Sequence, residues 1–155
     1  MTISHFNFQT YHFPGNCPTD DSRYKWILEH CYYLEIDDKT YEEAKANCAT
    51  KFSNGGKLFE PMSLQVSELV WEEFKDTIIS KGYAPWIGVN KQEAHSVYKY
   101  TSSGSNVSFT IPWLPGYEPR GNSSRCITMW EGAKWRGLGS RTSGCTSFQT
   151  SICEQ

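Results

Sequence analysis

Trp86-Ile87-Gly88-Val89 is an apolar, β-type run that divides the chain into two differently patterned halves. After it no helical period returns. Ser102 to Asn106 is polar turn material, and Cys126-Ile127-Thr128-Met129-Trp130 is again a strand-like stretch. Before it, Val66, Val70, Phe74 and Ile78 recur every four residues with Leu69 and Ile79 beside them. That spacing predicts a helix starting near Ser63 or Ser67 and closed by Gly82 in a left-handed conformation. Leu58-Phe59 reads as a short strand broken by Pro61. Further back, Thr40-Tyr41-Glu42-Glu43 is a capping box. The helix it starts turns Tyr41, Ala44 and Cys48 inward and is expected to stop at Gly55-Gly56. Cys31-Tyr32-Tyr33-Leu34 is a β-type run ending at the polar turn Asp37-Asp38-Lys39. Residues 1–16 alternate Phe6 and Phe8 as an edge strand would, and are expected to form an N-terminal extension packed on a domain running from 17 to 155.

Composition bounds what such a chain does. It has 155 residues with 15 Lys and Arg against 17 Asp and Glu, a net charge of −2. That length is one domain, able to remove roughly 70 % of its unfolded surface from water. The near-neutral balance speaks against a nucleic-acid partner, and no stretch approaches the roughly eighteen apolar residues of a membrane span. Cys17, Cys31, Cys48, Cys126, Cys145 and Cys153 are even in number and show no CxxC pair, which points to disulfides and not to zinc. Spacing alone does not choose among their pairings. Disulfides imply an oxidising compartment, and residues 1–16 hold no signal-peptide core, so the expectation is a mature secreted chain with an added Met1.

Catalytic patterns are missing. His5, His12, His30 and His95 form no HExxH or i, i+4 pair, and there is no GxSxG, P-loop or Rossmann glycine pattern. No enzyme activity and no cofactor are expected. Trp86, Trp113 and Trp130 read as core from their strand context. Asn106-Val107-Ser108 and Asn122-Ser123-Ser124 are glycosylation sequons at Asn106 and Asn122.

Taken together, these landmarks resemble a C-type lectin-like domain from about Cys17 to Glu154. The ordered set is Cys17-Pro18, the Cys31-Tyr32 strand, a helix ending in Cys48, Trp86-Ile87-Gly88-Val89, Trp113 before Gly116, Cys126, Cys145 and Ile152-Cys153-Glu154. The resemblance implies an α+β fold in which two helices flank antiparallel sheets with a long loop region. It also implies three disulfides, Cys17–Cys31, Cys48–Cys153 and Cys126–Cys145. The second would close a loop of 106 residues, for which chain entropy gives about 4.7 kcal/mol. A cis bond before Pro119 is implied as well.

Sugar-binding members of that family hold calcium with a Glu-Pro-Asn or Gln-Pro-Asp turn, an acid just before the next cysteine, and a Trp-Asn-Asp strand. Here the turn is Glu118-Pro119-Arg120, Ser124 stands two before Cys126, and Trp135 is followed by Arg136-Gly137. Only Glu118 remains of the side-chain ligands. Calcium takes about six to eight oxygens, and a guanidinium offers none. Lys91 and His95 occupy the acidic positions of an auxiliary site. Both sites therefore read as lost, with no metal expected.

The same region is locally cationic. Between Arg120 and Arg141 five basic residues face one acid, Glu131, for a net +4, which leaves −6 on the rest of the chain. The expected function is a secreted module that binds a glycan or glycoprotein ligand, of anionic or sulfated type, without calcium. Its expected ligand residues are Glu118, Arg120, Asn122, Arg125, Trp135 and Arg136, with Arg120 or Arg136 pairing with Glu118 in place of the ion. One alternative is a protein-protein module that engages a receptor and no sugar. A minor one is an ice- or mineral-binding surface, supported only by the Ser/Thr-rich tail from Ser140 to Ser151.

Overall fold

A computed structural model describes residues 17–92, 96–119, 125–137 and 144–155. The expected N-terminal extension, 1–16, lies outside the described residues, and so does His95.

Two helices form where the caps and periods place them. Helix α1 (Tyr41–Cys48) starts at Thr40, whose side chain accepts from the Glu43 amide, and buries Tyr41, Ala44 and Cys48. It ends at Cys48, well before Gly55-Gly56, because the carbonyl of Asn47 is taken by the Thr50 hydroxyl (2.7 Å) and amide (3.0 Å). Helix α2 (Leu64–Lys81) is capped by Ser63 and closed by Gly82 at φ 78°, whose amide donates to Ile78 and Ile79. Val70, Trp71, Phe74 and Ile78 are buried, whereas Leu69 and Ile79 face outward at 36 % and 48 % exposure.

Among the described residues eight strands form one sheet. They are β1 (Tyr24–Ile27), β2 (His30–Lys39), β3 (Lys57–Leu58), β4 (Trp86–Lys91), β5 (Tyr98–Tyr100), β6 (Cys126–Trp130), β7 (Lys134–Gly137) and β8 (Gln149–Glu154). The main order is β1-β2-β8-β4-β6-β7, with β3 on β8 and β5 on β4. The resemblance implies antiparallel sheets, and a parallel contact, Trp86 opposite Ser151, here joins two antiparallel halves into one mixed sheet. Trp86 is fully buried there and its indole donates to the Lys39 carbonyl at 2.9 Å. Gly88 is required next to it, since a Cβ would lie 2.7 Å from the Leu58 carbonyl oxygen.

The three disulfides are Cys17–Cys31, Cys48–Cys153 and Cys126–Cys145, with Cα–Cα distances of 5.6, 5.2 and 5.3 Å. Cys48 and Cys153 are fully buried, so α1 is tied to the middle of the sheet from within the core. A second tie is polar. Glu35 of β2, 3 % exposed, accepts from Asn47 Nδ2 of α1 at 2.8 Å and from the Asp37 amide at 3.1 Å, with Lys51 Nζ at 3.4 Å.

Glu154 closes β8 beside a second buried carboxylate, Glu60, and both share Lys57 at 3.6 and 3.0 Å. Burial pushes the Glu154 carboxyl from 4.5 up to about 7, against the opposing pull of Lys57 and the Glu60 amide. Between those two values the folded state binds the extra proton, so stability falls as pH rises from 4.5 to about 7. The size of the loss is on the order of 3 kcal/mol. Glu154→Gln is expected to flatten this part of the stability profile and raise the melting temperature at alkaline pH, read by denaturation across the window. Unchanged pH dependence in the variant would remove Glu154 as its source.

Candidate functional site

The loop between β5 and β6 is built onto β7 like one more strand. Leu114 N donates to Trp135 O and Trp135 N to Pro112 O, both at 2.8 Å, in a parallel bridge of Trp113 to Trp135. The chain then turns: Tyr117 N donates to Leu114 O at 2.9 Å, and Gly116 takes φ 85°, open to glycine without strain. Gly137 N donates to Tyr117 O at 3.0 Å, which fixes the far end of the turn.

Two residues then grip Pro119. A Cβ on Gly137 would run into the Pro119 ring, with Cδ at 3.0 Å, so only glycine lets the proline seat. From the other strand Lys91, 3 % exposed, sends its ammonium to donate to Pro119 O at 3.3 Å, while its own amide donates to Arg125 O at 2.9 Å. A lysine this deeply buried is rare unless its ammonium is hydrogen-bonded. In the sequence Lys91 shows only as the loss of an acid and Gly137 only as the residue after Arg136. Both turn out to position the turn, and no local pattern announces either role.

The expected ligand residues are distributed differently. Glu118 is exposed on the turn and Arg125 is exposed just ahead of β6, while Asn106, a sequon residue and not an expected ligand residue, is exposed in a bridge with Lys99. Trp135 is corrected: it is fully buried, edge-on to Phe109 at 5.6 Å, with its indole N–H donating to Ser67 Oγ of α2 at 3.4 Å. Strand alternation dictates this, since Lys134 points out, Trp135 in and Gly137 in. Arg136 makes no ion pair with Glu118. Its guanidinium lies 4.8 Å from the centre of the Tyr117 ring, a cation–π contact, and its Nε is buried without a partner. Arg120 and Asn122 lie outside the described residues. Pro119 follows a trans bond, as no described peptide is cis. Trans is the lower-energy form by about 0.5–1 kcal/mol.

Among the described residues of this turn Glu118 supplies the one carboxylate, Pro119 O accepts from the Lys91 ammonium, and the Arg136 guanidinium lies against the Tyr117 ring, so the described donor set does not match a calcium site. Among the described residues no three His, Cys, Asp or Glu side chains come together as a metal cluster. No described helix is long and apolar enough to cross a membrane.

Two helices beside a disulfide-tied sheet whose long loop rides on β7 define a domain of the C-type lectin-like fold. The chain belongs to the C-type lectin domain family, whose pattern matches residues 37–155. It is 30 % identical over 131 residues to mouse C-type mannose receptor 2, a match covering 81 % of this chain and 8 % of that receptor. It is 34 % identical over 95 residues to snaclec macrovipecetin subunit alpha of Macrovipera lebetinus, covering 61 % of this chain and 70 % of that subunit. Human lithostathine has the same fold at TM-score 0.69 and 22 % identity, covering 85 % of this chain and 87 % of its own.

Seating of Pro119 on Gly137 is testable through stability. Gly137→Ala should cost about 1–3 kcal/mol by overpacking, measured by denaturant unfolding. An unchanged midpoint would mean that the proline does not sit there.

Proposed function

We propose that this domain is a secreted recognition module that binds an anionic glycan or glycoprotein at the edge carrying Arg125, Lys134 and Arg136, without calcium. The observation that carries the reading is the Lys91 ammonium at Pro119 O, a fixed positive charge inside the turn where relatives would need carboxylates around a metal. A cleft of about 330 Å³ adjoins it, lined by Tyr41, Asn90, Lys91, Gln92 and Arg125, with Glu42 as its one acid. Two cations against one carboxylate favour a sulfate or uronate group, which guanidinium binds in bidentate fashion.

A second reading, a protein-protein module, draws its support from the snaclec relatives, which carry the word subunit in their names. Binding to an immobilised heparin fragment and to neutral glycans, with calcium and with chelator, separates the two. The expected result is binding to the sulfated chain that is indifferent to chelator, is weakened several-fold by Arg125→Ala, and falls steeply with salt. Exposed charges are screened over about 8 Å at physiological ionic strength. Binding that chelator abolishes would overturn the reading, and silence toward every glycan would turn it to the protein-protein alternative.

A further inference from the structure

The three disulfides differ in what surrounds them. Cys48 and Cys153 are fully buried, and Cys17 and Cys31 are buried as well, so neither of these bridges can be approached without opening the fold. Cys126–Cys145 is placed otherwise. Cys126 is buried at the start of β6, but Cys145 is only half-buried, and both cysteines line the cleft of about 330 Å³ beside Tyr41 and Gln92. Lys91 and Arg125 line the same cleft against the single carboxylate of Glu42. The backbone around the bridge is fixed. Arg125 O accepts from the Lys91 amide at 2.9 Å, and Asn90 stands opposite Cys126 in the pairing of β4 with β6.

Thiol–disulfide exchange needs an attacking thiolate, access to one sulfur, and a leaving thiolate that its surroundings stabilise. Positive charge serves the first and the last, because it concentrates an anionic thiol at the cleft and favours the charged form of a cysteine beside it. We propose that Cys126–Cys145 is a thiol-exchange site for a small anionic thiol, one bearing a carboxylate or sulfonate, and that it opens ahead of the other two bridges. The incoming thiolate bonds to Sγ of Cys145, the more accessible sulfur. The Cys145–Cys126 bond breaks, and its electron pair leaves on Sγ of Cys126 as a thiolate in the cleft that Lys91 and Arg125 line. A second thiolate then attacks the small molecule's sulfur in the mixed disulfide and releases Cys145. Two thiols become one disulfide, the cystine takes up two electrons, and the cysteine thiolates take their protons from water. The change is local. Cys126 keeps its place through the pairing of β6 with β4 and β7, and α1 stays bonded to Cys153, so exchange frees the short turn Gly144–Thr146 at the wall of the cleft. None of this depends on which ligand the cleft takes.

The test treats the folded protein with limiting mercaptoethanesulfonate at about pH 8, where much of a free thiol is ionised. Free cysteines are trapped with iodoacetamide, and each position is read by peptide mass spectrometry after full reduction and a second label. Cys126 and Cys145 are expected to carry the first label about tenfold more than any of the other four, while the NMR spectrum keeps its dispersion. Equal labelling of all six, or earlier labelling of Cys17 and Cys31, overturns the proposal. Cysteamine, a cationic thiol, is run in parallel. Each rate is divided by the same thiol's rate with hydroxyethyl disulfide, which removes the difference in intrinsic reactivity. The anionic thiol should be favoured roughly threefold to tenfold at low salt, and the preference should vanish in about 1 M salt, where charges are screened over about 3 Å. Arg125→Gln should shrink it as well. Equal rates for the two thiols at low salt, or a preference that neither salt nor Arg125→Gln diminishes, would overturn the assignment.

Discussion

Cys153 lies in β8, the strand that pairs with β2, β3 and β4, and its bond to Cys48 fixes α1 against the centre of the sheet. The Glu35–Asn47 hydrogen bond supports the same placement of α1. The halves of the sheet meet where Trp86 runs parallel to Ser151, and β3 is two residues long. With the disulfide in place, the unfolded chain is deprived of a closed loop of about a hundred residues, worth about 4.7 kcal/mol on chain entropy. Trp86, buried on that junction, then serves as the fixed base from which β4 reaches Lys91.

From Lys91 the dependence passes to the turn. Its ammonium has to be hydrogen-bonded to be tolerated inside the domain, and Pro119 O is one of the groups that satisfies it. The same contact spends a carbonyl on the protein's own cation, and Gly137 completes the grip by giving the proline ring room. Arg136 is then turned onto Tyr117, and Glu118 lines an aromatic cavity with Tyr98, Phe109 and Trp113.

Most of the fold was legible because its signals are local. Thr40, Ser63 and Gly82 mark helix ends through contacts within four residues, and the Val70, Phe74 and Ile78 spacing reports a buried face directly. Helix α1 ended earlier than Gly55-Gly56 suggested because a hydroxyl three residues beyond Asn47, that of Thr50, captured a carbonyl. The site was less legible. Trp135 stood next to the expected ligand residues in sequence, yet strand alternation sends it to Ser67, far away along the chain. Lys91 and Pro119 are separated by 28 residues, and no pattern in either neighbourhood says that one will donate to the other. Arg120 or Arg136 was expected on Glu118; the Arg136 guanidinium lies instead 4.8 Å from the centre of the Tyr117 ring, and Arg120 lies outside the described residues.

We propose that the protein's own ammonium and packing hold the turn without a metal. Amide hydrogen exchange at Leu114, Tyr117 and Gly137 reads that directly, since their donors bond Trp135 O, Leu114 O and Tyr117 O. Protection at these three amides should be the same in saturating calcium and in chelator, and should fall in Lys91→Met while the amides of α2 keep theirs. Faster exchange on chelation, or full protection in Lys91→Met, would contradict it.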